Sequence, residues 1–209
     1  MKKIIALLAA LTVLFSFALA ETTPTNLNNN TQKQAATAAP TAEPTAAPAA
    51  EEPAVVNFRE VLTAEELAAG TYVQVAELPL QYWVVNDTFT NAEVPQEEGF
   101  EETIAILTYN ADPEQAIMID CGETELDFDT FWGNLTAEDM KEFFSDVSRA
   151  TVNGLDCAAY TSLNEDGSKT QVVEYITEGT FVKFAWGVTE DEDFDRFATM
   201  TATSLEVIE

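Results

Sequence analysis

The chain contains no histidine, two cysteines, and nine lysines and arginines against 37 aspartates and glutamates. Each shortage excludes something. Without imidazole there is no histidine-based triad, no histidine metal ligand and no histidine pH switch. With so few cations the net charge is −28. That excludes nucleic acid as a partner, because its binding rests on Lys and Arg neutralising phosphates. The same charge works against anionic membrane surfaces. A Gly-rich phosphate loop, a Cys-x-x-Cys pair and a Gly-x-Ser-x-Gly elbow are also absent. Apolar material is not scarce. Hydrophobic residues make up 46% of the chain, so it is not disordered throughout.

The sequence divides into three parts. Met1-Lys2-Lys3 is followed by an uncharged apolar run from Ile4 to Ala20. The run ends Ala18-Leu19-Ala20, the small-x-small pattern of a signal-peptidase site. This predicts cleavage after Ala20 and a secreted or cell-surface protein. An uncleaved anchor is the rival reading. The run is at the lower edge of spanning length, and no basic stop-transfer cluster follows it. No membrane insertion is expected after cleavage. Residues 21–53 are built from Thr, Ala, Pro, Asn, Gln and Glu, with Leu27 as their one large apolar residue. Such a segment cannot bury enough surface to offset its ordering entropy. Its spaced prolines favour an extended spacer. Residues 54–209 carry a charge of −27 and are long enough for one core. A monomer is expected, with an unidentified protein or the cell wall as partner.

Within residues 54–209, three helix starts stand out. Thr63 with Glu66 is a capping box, and Leu62 with Leu67 occupies the hydrophobic-staple positions. Thr136 with Asp139 repeats the device more weakly, and Met140, Phe143, Phe144 and Val147 follow helical spacing. Thr189 with Glu192 is a third box, ahead of a stripe of Phe194, Phe197, Ala198, Thr201 and Leu205. Strands are expected at 72–76, 80–85, 103–109, 116–121, 150–152, 156–163, 171–177 and 180–188. Asn153-Gly154, Asp166-Gly167 and Glu178-Gly179 are their turn signals. Strands in runs with helices between the runs predict an α+β domain with an antiparallel sheet flanked by helices.

From Tyr72 to Leu205 this pattern resembles the Mog1/PsbP-like fold of small exported bacterial domains. The resemblance is carried by Leu78-Pro79-Leu80-Gln81-Tyr82-Trp83, the acidic segment after Leu135, Val152-Asn153-Gly154-Leu155, and Gly179 to Phe184 ahead of a last helix ending in Ser204-Leu205. It implies a sandwich of one antiparallel sheet with helices packed against it. It carries over no site residue and no activity.

Three groups of residues are candidates for chemistry. Cys121 is in phase with Ile117 and Ile119, and Cys157 with Leu155 and Ala159, so both face the core. In an exported protein such a pair forms one disulfide, or remains as two buried free thiols. The acidic clusters include Asp127-Phe128-Asp129 and Asp191 to Asp195, whose alternation offers oxygens to calcium. Neither has the glycine and distal glutamate of an EF-hand loop, so no metal or cofactor is expected, with calcium the alternative. Trp83 and Trp186 read as core, and Trp132 as the most exposed of the three. The function expected is a non-enzymatic accessory or interaction domain. A calcium-dependent binding module and a carboxylate-dependent enzyme acting on glycans are the alternatives.

Overall fold

A computed structural model describes residues 53–177 and 179–208. The expected cleavage site and spacer lie outside the described residues. The N-terminal strand β1 (Ala54–Val56) leads into two short helices, α1 (Phe58–Val61) and α2 (Ala64–Ala68). The capping box is present at α2: Thr63 Oγ1 accepts from Glu66 N, and the Glu66 side chain accepts from Thr63 N. Strands β2 (Gly70–Gln74), β3 (Leu80–Val85), β4 (Phe89–Ala92), β5 (Thr103–Tyr109) and β6 (Ala116–Glu123) follow. Helix α3 (Phe128–Leu135) separates them from β7 (Phe144–Val152), β8 (Leu155–Leu163), β9 (Lys169–Thr177) and β10 (Thr180–Gly187). Helix α4 (Glu192–Ala202) and the short strand β11 (Glu206–Val207) complete the order.

The strands form two sheets. The larger has eight, in the order β1-β7-β8-β9-β10-β6-β5-β4, and the smaller three, in the order β11-β3-β2. All pairs are antiparallel except β1 with β7. The domain is therefore α+β, with a mainly antiparallel sheet flanked by helices. The second sheet adds to the single one that sequence periodicity suggested. One face of the large sheet carries the main core, in which Val173, Tyr175, Val182, Phe184, Ile117 and Ile119 meet Tyr82 and Leu80 of the small sheet and Phe194 of α4. The opposite face carries a smaller cluster, where Phe128 and Leu135 of α3 cover Ala158, Tyr160, Val172, Ile176 and Ala185.

The middle helix differs from expectation. Residues 136–147 do not form it. Asp127 caps α3 by accepting from Thr130 N, and Thr136 closes the helix, donating its hydroxyl to Trp132 O. The acidic segment after Leu135 contains only a single 3-10 turn, Glu138–Met140. Phe144 and Val147, read as a helical face, lie in β7. A bulge between Ser145 and Ser148, with Asp146 at φ 54°, lets both pack on the α3 side although they are three residues apart. The stretch Ser145-Asp146-Val147-Ser148 is poor helix material, because Ser and Asp compete for backbone hydrogen bonds. Pairing with β8 then decides. At α4 the N-cap is Asp191, which accepts from Asp193 N and Phe194 N. Thr189 sits two residues early and accepts from Asp191 N instead.

The turn signals hold. Asn153 (φ 50°) and Gly154 (φ 82°) make the two-residue connection of the β7–β8 hairpin, with the paired left-handed angles of a type I′ turn. Thr177 and Thr180 are paired across the next tight turn, where Gly179 has φ 81°.

Candidate functional site

The sequence-predicted cysteines come to one row of the large sheet but not to each other. Cys157 on β8 is opposite Tyr175 on β9, Tyr175 opposite Val182 on β10, and Val182 opposite Cys121 on β6. Three strand spacings separate the thiols, roughly 14 Å. A disulfide needs Cα atoms within about 7 Å. Both cysteines are free, and the disulfide expectation is corrected to two separate thiols. Burial pushes the Cys157 thiol up to about 12, and burial with the nearby Glu102 raises that of Cys121. Both shifts disfavour the thiolate, the form that attacks and binds metals.

The alternating acids are engaged in helix caps and ion pairs. Asp127 caps α3, and its carboxyl is held low by the Thr130 hydrogen bonds. Asp129 pairs with Arg149 at 2.9 Å. Asp191 caps α4, Asp193 pairs with Arg196 at 2.8 Å, and Asp195 accepts from Trp186 Nε1 at 3.1 Å. Among the described residues no three His, Cys, Asp or Glu side chains converge as a metal-binding group. The alternation that suggested calcium is helix-start chemistry. Trp83 and Trp186 are buried as expected. Trp132 is half-buried in α3 against the smaller cluster.

Two polar clusters were not legible in the sequence. On the α3 side of the large sheet, Lys183 Nζ is 2.8 Å from Asp120, which also accepts from Thr103 Oγ1. Beside it, Tyr160 donates to Glu174 at 2.6 Å. Burial raises the Glu174 carboxyl against the effect of the Tyr160 hydrogen bond and Lys183. Asp120, Lys183 and Glu174 stand in one row of adjacent strands. Two carboxylates flank a lysine there, Asp120 paired with Lys183 and Glu174 held by the Tyr160 hydroxyl. At the other side, Arg59 makes a bidentate pair with Glu206, which also accepts from Gln81 Nε2, and Arg59 lies over the Tyr72 ring. Burial alone would raise the Glu206 carboxyl. The hydrogen bonds from Arg59 and Gln81 hold it below its usual range. This cluster ties α1 to β11 and β3, joining both ends of the folded part.

A recess opens where the small sheet parts from β4 and β5. It is a cleft of about 260 Å³ between the facing sides of the two sheets. Tyr82 and Leu107, both buried, form its floor, and Val84, Val85 and Phe89 its walls. Thr71, Asn86, Asp87 and Asn91 form an exposed rim. The alternation of β3 explains the floor. Tyr82 and Val84 point toward the large sheet, while Trp83 points the other way, into a pocket closed by Phe58 and the Leu67 carbonyl. The Tyr82 ring packs edge-on against Phe184 at 5.6 Å, and burial pushes its hydroxyl up to about 12. Asp87, with φ 59°, is the only ionisable group on the rim among the described residues. The sequence offered a signal for this site only in the alternation of Tyr82 and Val84.

Among the described residues no helix is long and apolar enough to cross a membrane. No family model matches the chain, and no curated protein matches it in sequence. Among solved structures the chain is similar to cyanobacterial PsbP (CyanoP) from Synechocystis sp. PCC 6803, at 10% identity and a TM-score of 0.48, covering 70% of this chain and 96% of that one. It is also similar to LpqN of Mycobacterium tuberculosis, described as involved in cell envelope biogenesis, at 14% identity and a TM-score of 0.40, covering 66% and 90%. At these identities and TM-scores neither likeness assigns a site or a role to this chain.

Proposed function

We propose that this chain is an exported accessory domain that binds a protein or cell-wall partner at the bacterial cell surface, acts as a monomer and catalyses no reaction. The observation that carries this reading is the cleft between the sheets. Its walls are apolar, its rim is mostly neutral, and its floor holds a hydroxyl with no base beside it. Such a recess recognises a group without transforming it. The signal-like N-terminus and the Pro-rich spacer support display outside the cell. A calcium-dependent module and a carboxylate enzyme have less support, because the acids that would serve them are engaged in caps and ion pairs.

Fractionation and capture test the reading together. The protein is expected in the surface or secreted fraction with Glu21 as its N-terminus. Immobilised protein should retain a partner that Val84→Arg no longer retains while Val84→Arg remains folded by circular dichroism. Cytoplasmic retention of the uncleaved chain, or capture equal to that of an unrelated acidic protein, would overturn it.

A further inference from the structure

The cleft lies beside an open strand edge. In the β4–β5 ladder Asn110 N donates to Thr88 O, which places residues 88, 90 and 92 in the hydrogen-bonded positions. The peptide groups of Phe89 and Asn91 therefore point outward, and β4 is the last strand of its sheet. Edge strands are ordinarily guarded by charge, proline or a bulge. Phe89-Thr90-Asn91-Ala92 has none of these. The side chains of Phe89 and Asn91 also line the cleft. A strand added at this edge would thus direct the side chain opposite them into the cleft mouth. On the floor the Tyr82 hydroxyl makes no hydrogen bond with any described residue, although Tyr82 is 2% exposed. Tyr82 lines the cleft, so its hydroxyl can donate to an acceptor that enters there.

Deepening the accessory-domain reading, and resting on it, we propose that β4 and the cleft together form a docking site for an extended segment of a protein partner. The segment adds as a strand along Phe89–Ala92, inserts one apolar side chain between Val84 and Phe89, and presents an acceptor to the Tyr82 hydroxyl. Charge selects the occupant. Among the described residues no Lys or Arg lines the cleft, Asp87 stands on its rim, and the domain carries −27. The segment is therefore basic around its apolar anchor. A second copy of this chain would bring the same negative charge to the interface. The chain's own residues 21–53 have only Leu27 as anchor and are interrupted by prolines. Both are poorer occupants.

The test is titration of the ¹⁵N-labelled protein, as isolated from the producing cell, with the peptide acetyl-Lys-Thr-Leu-Thr-Lys-amide. The expected result is saturable amide shifts at Phe89 and Asn91, with Val84 and Tyr82 also affected. A peptide with Leu replaced by Asp, and one N-methylated along its backbone, should not bind. Tyr82→Phe should weaken binding about three- to tenfold, the loss of one hydrogen bond. Asn91→Pro removes an outward N–H and the rim side chain but no hydrogen bond of the β4–β5 ladder, so the protein should stay folded and lose binding, whereas Asn91→Ala, which keeps the N–H, should retain most of it. Equal binding of the N-methylated peptide, or shifts spread over the acidic loops, would overturn the docking site while leaving a partner elsewhere on the domain open to capture. Shifts at Tyr82 and Val84 without shifts at β4, seen also with N-acetyl-leucinamide, would make the cleft a small-molecule site instead. Dimerisation through β4 would assign the edge to a second copy.

Discussion

Replacing Gly70 with alanine tests the packing that supports the small sheet. An ideal Cβ at Gly70 would lie 2.1, 2.3 and 2.5 Å from Cε2, Cζ2 and Nε1 of Trp83. Ordinary carbon contacts are about 3.5–4.0 Å, so the indole would have to retreat by roughly 1.5 Å. It has little room to do so. Trp83 is 1% exposed, its ring lies 5.6 Å from that of Phe58, and its Nε1 donates to Leu67 O at 3.1 Å. Overpacking of this kind costs about 1–3 kcal/mol, and loss of the indole hydrogen bond adds about 1 kcal/mol. The expected destabilisation is therefore about 2–4 kcal/mol. In a domain of this size that lowers Tm by roughly 4–16 °C. Urea unfolding followed by tryptophan fluorescence measures it, and the native emission should shift as Trp83 moves. Gly133→Ala is the control. It is an exposed position within α3, and nothing lies within 4 Å of its Cβ. This substitution should stabilise by about 0.5–1 kcal/mol. A Gly70→Ala protein within about 0.5 kcal/mol of wild type, with unchanged emission, would refute the packing argument.

The two thiols should be free in the secreted protein. Its intact mass should not change on reduction, and native alkylation should be slow at Cys157, whereas a mass two units below the reduced form would contradict the strand order. Asn153→Ala removes a left-handed turn residue whose side chain accepts from Phe58 N at 2.7 Å and donates to Leu205 O at 2.9 Å. A loss of roughly 2–4 kcal/mol is expected by urea unfolding, and Asn153→Gly should recover the turn but not the two bonds. The depressed Glu206 carboxyl contributes stability that is fully present above its unfolded pKa and is lost as pH falls through its folded value. Glu206→Gln should therefore flatten the acid limb of the stability profile below about pH 4.5, and an unchanged limb would remove Glu206 from that account. Calcium and magnesium at matched ionic strength should raise Tm equally, by charge screening, and a saturable rise with calcium alone would show a dedicated site.

The Leu80–Val85 and Thr103–Tyr109 strands could be read directly from composition, because runs of apolar, aromatic and β-branched residues, broken only by Gln81, leave few alternatives. The same is true of the Asn153-Gly154 turn and the Thr63–Glu66 box, whose chemistry is local. β1 and β4 were missed. Each is four residues or fewer and takes strand form only because a neighbour offers a ladder, β7 for one and β5 for the other. The expected middle helix failed for a related reason. Its spacing was helical by coincidence, and a bulge, invisible to periodicity, let two residues three apart share a face.

What the sequence determined by itself is therefore whatever depends on near neighbours: the exclusion of histidine chemistry, most strand locations, the turns, the α2 cap and the core-facing phase of both cysteines. The tertiary structure alone decided what depends on strand order. It placed two strands between Cys121 and Cys157 and so denied them a bond. It turned alternating acids into caps and ion pairs, set Asp120, Lys183 and Glu174 in one row, and parted two sheets to open the cleft over Tyr82. The physical reason is range. Capping and turn preferences act over three or four residues, whereas pairing between strands far apart in the chain is settled only when the whole core is buried together.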